Sequence, residues 1–115
     1  MASTIAARKR LIVALDMPTL DEAERLVQTL GEKISFYKIG LELLFAGGLS
    51  FAQRLVDEGK DVFLDMKLLD IGHTVERAVN NAADLGLNLL TVHGHDLKTC
   101  SMSFAHLWPE TRCSF

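Results

Sequence analysis

The stretch Asp61-Val62-Phe63-Leu64-Asp65-Met66-Lys67-Leu68-Leu69-Asp70-Ile71 runs from an apolar core segment straight into three charges. A β-strand alternates its faces with period two, so Asp65 and Lys67 are expected to project from one side at the strand's end, and Val62, Leu64 and Met66 from the other. Asp70 comes three residues after Lys67, past the expected strand end, which places it on the following loop. Taken alone, D-x-K-x-x-D reads equally as an ordinary solvated turn or as a reactive cluster. The other strand ends of the chain distinguish the two.

Upstream, Arg10-Leu11-Ile12-Val13-Ala14-Leu15 is a continuous apolar run ending in Asp16, the pattern of a strand buried on both faces of a parallel sheet. Thr19-Leu20-Asp21-Glu22 has capping-box order and predicts a helix from Leu20 to Leu30, with Ala23, Leu26, Val27 and Leu30 on its apolar face and Gly31 as its stop. Ile34 to Gly40 reads as a second strand carrying Lys38 near its end. A short helical turn is expected over Leu41 to Phe45, a break at Gly47-Gly48, and a helix over Phe51 to Glu58 capped by Ser50. Downstream of the charged stretch, Thr74 is the expected cap of a helix over Val75 to Leu85. Asn88 to Val92 reads as a fourth strand closing on His93-Gly94.

Strand ends therefore fall at Asp16, Lys38, Asp65 with Lys67, and His93, separated by 22, 27 and 28 residues, with one helix in each interval. Repeated strand, helix, strand units at this spacing predict an α/β fold with right-handed parallel crossovers, the N-terminal half of a (β/α)₈ barrel. In such folds ligands bind beyond the carboxyl ends of the strands. Four consecutive strands placing a polar or ionisable residue there favours a site over a solvated surface. His93 is the weakest member, since a single histidine at a strand end more often serves as a hydrogen-bonded structural residue.

Composition bounds the function. With 115 residues, 49% hydrophobic and 23% charged, the chain has the make-up of one globular domain. A formal net charge of −3 gives no basic footprint for nucleic acid or an anionic membrane. The N-terminus has the reverse order of a secretory signal and no apolar run is long enough to cross a bilayer, so a cytoplasmic location is expected. Cys100 and Cys113 suggest neither a disulfide scaffold nor a zinc site.

From Arg10 to Gly94 the sequence resembles the orotidine 5′-monophosphate decarboxylases. The resemblance rests on Leu15-Asp16, on Tyr37-Lys38-Ile39-Gly40, and above all on Phe63 to Ile71 followed by Thr74-Val75. Gly72-His73 stands where that family usually has Pro-Asn, which leaves the loop freer. A related magnesium-dependent sugar-phosphate decarboxylase and aldolase group shares D-x-K-x-x-D but has an acid where this chain has Lys38. The resemblance implies a carboxy-lyase of de novo pyrimidine synthesis, without cofactor or metal, acting on a small nucleotide. Lys67, Asp65, Asp70 and Lys38 would be catalytic, with Lys67 as proton donor and Lys38 also contacting the ribose. Asp16 would bind a ribose hydroxyl, and a homodimer would lend Asp70, Ile71 and Thr74 to the neighbouring subunit's site.

A complete barrel needs roughly 250 residues. This chain is expected to supply a partial barrel over residues 1–94 and a divergent tail over 95–115, where the family would place its fourth helix. A truncated or frame-shifted product is the first reading of that length, ahead of a genuine half-barrel or a mis-predicted longer gene. The competing functional reading is accordingly a non-catalytic half-barrel fragment.

Overall fold

Thr19 starts the first helix as its sequence context predicts. In the computed structural model, which describes residues 7–68 and 72–92, its hydroxyl accepts a 3.3 Å hydrogen bond from the Glu22 N–H at the head of α1 (Leu20–Leu30). Asp21 and Glu22 add negative charge to that first turn, where the helix dipole favours it. Gly31, at φ +54°, ends the helix in a left-handed backbone that a side chain would disfavour.

Four strands follow one another in space as in sequence: β1 (Val13–Ala14), β2 (Phe36–Gly40), β3 (Asp61–Leu68) and β4 (Leu89–Val92), every neighbouring pair parallel. Parallel neighbours need a crossover on one side, and the helices provide it. Besides α1 these are the short α2 (Leu41–Leu43), α3 (Leu49–Asp57) and α4 (Gly72–Asp84). The core lies between sheet and helices. Leu15, Tyr37, Ile39, Val62, Leu64 and Leu90 from the sheet side meet Ala23, Val27, Phe51, Ala52, Leu55, Val75, Val79 and Ala82 from the helices, all buried. Tyr37 is fully buried and donates its hydroxyl to the Ile34 carbonyl at 3.4 Å. Burial pushes its phenol pKa up.

Several expectations are corrected. The sheet is not buried on both faces: β2 alternates, with Tyr37 and Ile39 buried and Phe36, Lys38 and Gly40 half-buried. Leu11 and Ile12 are exposed and the first strand shrinks to two residues, because β1 is an edge strand with one neighbour to fix it. Ser50 does not cap a helix. Leu41–Leu43 leads through a wide π-type turn, Leu44–Gly48, directly into α3, so Ser50 already lies inside it. The break expected at Gly47-Gly48 is present: Gly47, at φ +99°, leaves helical backbone and kinks the path between α2 and α3. Thr74 is likewise not a cap but an exposed first-turn residue of α4, which begins at Gly72. Asp70, Ile71, His93 and the tail over 95–115 lie outside the described residues.

The turn before α3 has one close approach that makes a testable point. A Cβ on the buried Gly48 would stand 2.6 Å from the Leu43 carbonyl oxygen and 2.8 Å from its carbon, both backbone atoms with little room to yield. Gly48→Ala is expected to destabilise the fold by about 1–3 kcal/mol, the usual range for forced overpacking. Its unfolding midpoint in a thermal or denaturant melt should fall clearly below that of the native chain, and an unchanged midpoint would contradict this packing.

The amino-terminal ends of the strands are tied by polar groups with a structural task. Asn88 donates from Nδ2 to Asp61 Oδ1 at 3.2 Å and accepts from the Val62 N–H at 2.9 Å, joining the starts of β3 and β4. Lys9 Nζ lies 3.2 Å from the other Asp61 oxygen.

Candidate active site

Because all four strands point the same way, their carboxyl ends share one rim. Asp16 follows β1, Lys38 and Gly40 lie at the end of β2, Asp65 and Lys67 near the end of β3, and Thr91 near the end of β4. The β2–β3 register sets Gly40 beside Asp65 and Lys38 beside Phe63. Gly40 leaves the rim open there: a side chain at this position would come within 3.8 Å of Asp16 Oδ1.

The pairing of β3 with β4 is regular at Leu64–Leu90, then shifts, and resumes at Leu68–Val92. Between those points Asp65, Met66 and Lys67 face the single residue Thr91, a bulge of the kind that re-aims side chains beside functional sites. Lys67 takes up the excess with φ +51°, a left-handed conformation that costs a non-glycine residue about 1–3 kcal/mol. Its ammonium lies 2.7 Å from Asp65 Oδ1. Lys38 approaches the other carboxylate oxygen, Oδ2, at 3.6 Å. Thr91 completes the cluster: its hydroxyl donates to Asp65 Oδ1 at 2.9 Å and accepts from the Lys67 backbone N–H at 2.9 Å.

Asp65 is thus a carboxylate held by two ammonium groups and a hydroxyl. The Lys67 hydrogen bond is the largest cause holding its carboxyl below the usual range. Partial burial opposes the shift, and the Thr91 hydrogen bond and the charges of Lys67 and Lys38 reinforce it. The Asp65 side chain is 16% exposed, Lys38 26% and Lys67 62%. A carboxylate locked in place below a more open ammonium can present a fixed positive charge and a proton to a molecule above the rim.

Of the site residues expected from sequence, the structure joins Asp65, Lys67 and Lys38 in one network and sets Asp16 next to Gly40 on the same rim. Thr74 stands exposed in the first turn of α4, and Asp70 and Ile71 lie outside the described residues. Thr91 is the residue that sequence reasoning overlooked. Its signal in the sequence is its place near the carboxyl end of the expected fourth strand, the end at which the other strands carry their polar residues. Among the described residues no three histidine, cysteine or acidic side chains converge as a metal site, and no helix is long and apolar enough to cross a membrane.

Comparison with known proteins meets this geometry. A model described as orotidine 5′-phosphate decarboxylase / HUMPS family matches residues 9–98. The orotidine 5′-phosphate decarboxylase of Methylobacterium nodulans is 60% identical over 95 residues, covering 83% of this chain and 40% of the relative. That of a Bradyrhizobium species is 56% identical over 94 residues, covering 82% and 39%. Among solved structures, the orotidine 5′-phosphate decarboxylase of Lactobacillus acidophilus superposes with a TM-score of 0.74 at 30% identity, over 81% of this chain and 42% of that one. The chain spans about 40% of the length of the curated relatives it matches. The parallel strand order, the D-x-K charges meeting at a strand end and the family match across most of the sequence agree: the chain belongs to the orotidine 5′-phosphate decarboxylase / HUMPS family.

Proposed function

We propose that the complete protein carrying this segment converts orotidine 5′-monophosphate to uridine 5′-monophosphate and carbon dioxide. The observation that carries this reading is the Lys38–Asp65–Lys67 arrangement, with an ammonium where the magnesium-dependent sugar-phosphate relatives would have an acid. The names of the relatives support it.

In this reading the carbon–carbon bond to the substrate carboxylate breaks, the electron pair stays on the pyrimidine ring carbon and carbon dioxide leaves. The Lys67 ammonium stabilises that carbanion and gives it a proton, and the resulting amine is reprotonated from solvent. Asp65 stands beside the departing carboxylate and, by its 2.7 Å contact, keeps the Lys67 ammonium aimed. Lys38 orders Asp65 and contacts the ribose, and Asp16 binds a ribose hydroxyl. Asp70, Ile71 and Thr74 serve the neighbouring subunit's site in a cytoplasmic homodimer. No cofactor enters the chemistry.

The charge at Lys38 gives the test, because an ammonium repels a divalent cation. In a complete barrel built from residues 9–98 of this chain and the remainder of the Methylobacterium nodulans relative, decarboxylation of orotidine 5′-monophosphate should be unchanged by a chelator. Activity lost with chelator and restored by magnesium would move the assignment to the sugar-phosphate group.

A further inference from the structure

We propose that Thr91 is a positioning residue of this site, its hydroxyl bridging the Asp65 carboxylate and the Lys67 backbone so that both are fixed across the bulge between β3 and β4. The inference rests on the decarboxylase reading above and adds a residue to it.

The argument starts from the backbone. In a regular parallel ladder the Lys67 N–H would bond to a carbonyl of the adjacent strand, but the register shift between Leu64 and Leu68 interrupts the ladder at this point. The N–H is instead taken up by Thr91 Oγ1 at 2.9 Å. That bond holds the left-handed turn at Lys67 on which the direction of its side chain depends. The same oxygen has one proton to give, and it gives it to Asp65 Oδ1 at 2.9 Å.

The consequence for the carboxylate is orientation. Oδ1 accepts from both Thr91 and Lys67 Nζ, which leaves Oδ2 turned toward Lys38. Two bonds converging on one oxygen from different strands fix the plane of the group, whereas the lysines alone are long side chains able to follow a rotating carboxylate. Thr91 is half-buried, so water competes only in part for this bond. Valine has nearly the shape of threonine and suits a strand equally well, but can neither accept from Lys67 nor donate to Asp65. Serine can do both.

Orientation of groups already present affects the chemical step more than substrate capture. In the complete barrel defined above, Thr91→Val is expected to lower kcat roughly ten- to a hundredfold, the scale set by one hydrogen bond to a charged group. KM should change less than about threefold, since the groups that contact substrate remain. Thr91→Ser should restore most of the lost kcat, which a loss of packing alone would not allow. Thermal midpoints of both variants, measured alongside, confirm that the compared proteins are folded. An active native barrel whose Thr91→Val variant keeps its kcat, or changes only in KM, overturns the inference and leaves the decarboxylase reading standing. A folded native barrel that releases no carbon dioxide overturns the reading, and the inference with it.

Discussion

Replacing Lys67 by alanine in the complete barrel is expected to abolish decarboxylation, lowering kcat by at least about a thousandfold, the combined scale of a lost electrostatic stabiliser and a lost proton donor. The fold should survive. The Lys67 side chain is 62% exposed, and Asp65 keeps its contacts with Lys38 and Thr91. The removed ammonium is also the main cause holding Asp65 below the usual carboxylate range, so in the variant that carboxyl titrates at higher pH than in the native protein. Paired measurements of turnover and unfolding midpoint check the expectation. Near-normal turnover in a folded Lys67→Ala protein would remove this residue from the mechanism.

The second large effect concerns the 115 residues expressed by themselves. They already hold Lys38, Asp65, Lys67 and Thr91 in contact, yet turnover is expected to be at least roughly a thousandfold below that of the complete barrel. Lys67 is mostly solvated here, and the attraction of an ammonium for a developing carbanion falls several-fold between a protected site and water. In the proposed reaction the substrate phosphate supplies binding energy that is spent on the transition state, so a fragment that holds the phosphate less well than the complete barrel is expected to lose chemical rate and not affinity alone. The face of the sheet away from the helices, carrying Phe36, Phe63 and Leu89, is half-buried or exposed and offers an apolar surface for self-association. Supplying the remaining residues of the barrel as a separate chain should recover part of the activity. A kcat from the 115 residues alone that matches the complete barrel would contradict this view of what protects the site.

The fold was legible wherever one local rule governed. Thr19, the Ala23–Val27 stripe and Gly31 fix α1 at its expected bounds because cap, apolar face and stop all agree. In the row expected on the helix side of β3, Val62 and Leu64 are buried as period two requires, and Met66, at the bulge, is only partly so. Misjudged positions were those set by neighbours in space. Leu11 and Ile12 read as a buried strand, but β1 is an edge strand whose pairing reaches only Val13 and Ala14, so the two residues before it stay exposed. Ser50 has the chemistry of a cap, but helical backbone resumes at Gly48 after the Gly47 kink and α3 begins at Leu49, so Ser50 already lies inside the helix.

The site divides in the same manner. That Asp65 and Lys67 share a face followed from alternation, and they do meet. They meet, however, across a bulge with Lys67 in a left-handed backbone, and nothing in D-x-K announces a bulge, since only the register with β4 creates it. Lys38 entered as one charge at one strand end, and its pairing with Asp65 comes from the β2–β3 register. Thr91 is hard to single out for another reason. A threonine in a strand is ordinary by propensity, and its role arises from the two groups that the bulge aims at its hydroxyl.

The most direct test of the charged rim as a decarboxylation site is to follow both products at once. Orotidine 5′-monophosphate labelled with ¹³C in its carboxylate, incubated with the complete barrel in D₂O, is expected to give labelled carbon dioxide and uridine 5′-monophosphate in equal amounts. One deuterium should stand on the ring carbon that carried the carboxylate, delivered by the exchanged ammonium of Lys67. Recovery of unchanged nucleotide from a folded protein, or release of carbon dioxide that persists undiminished in Lys67→Ala, would contradict the account.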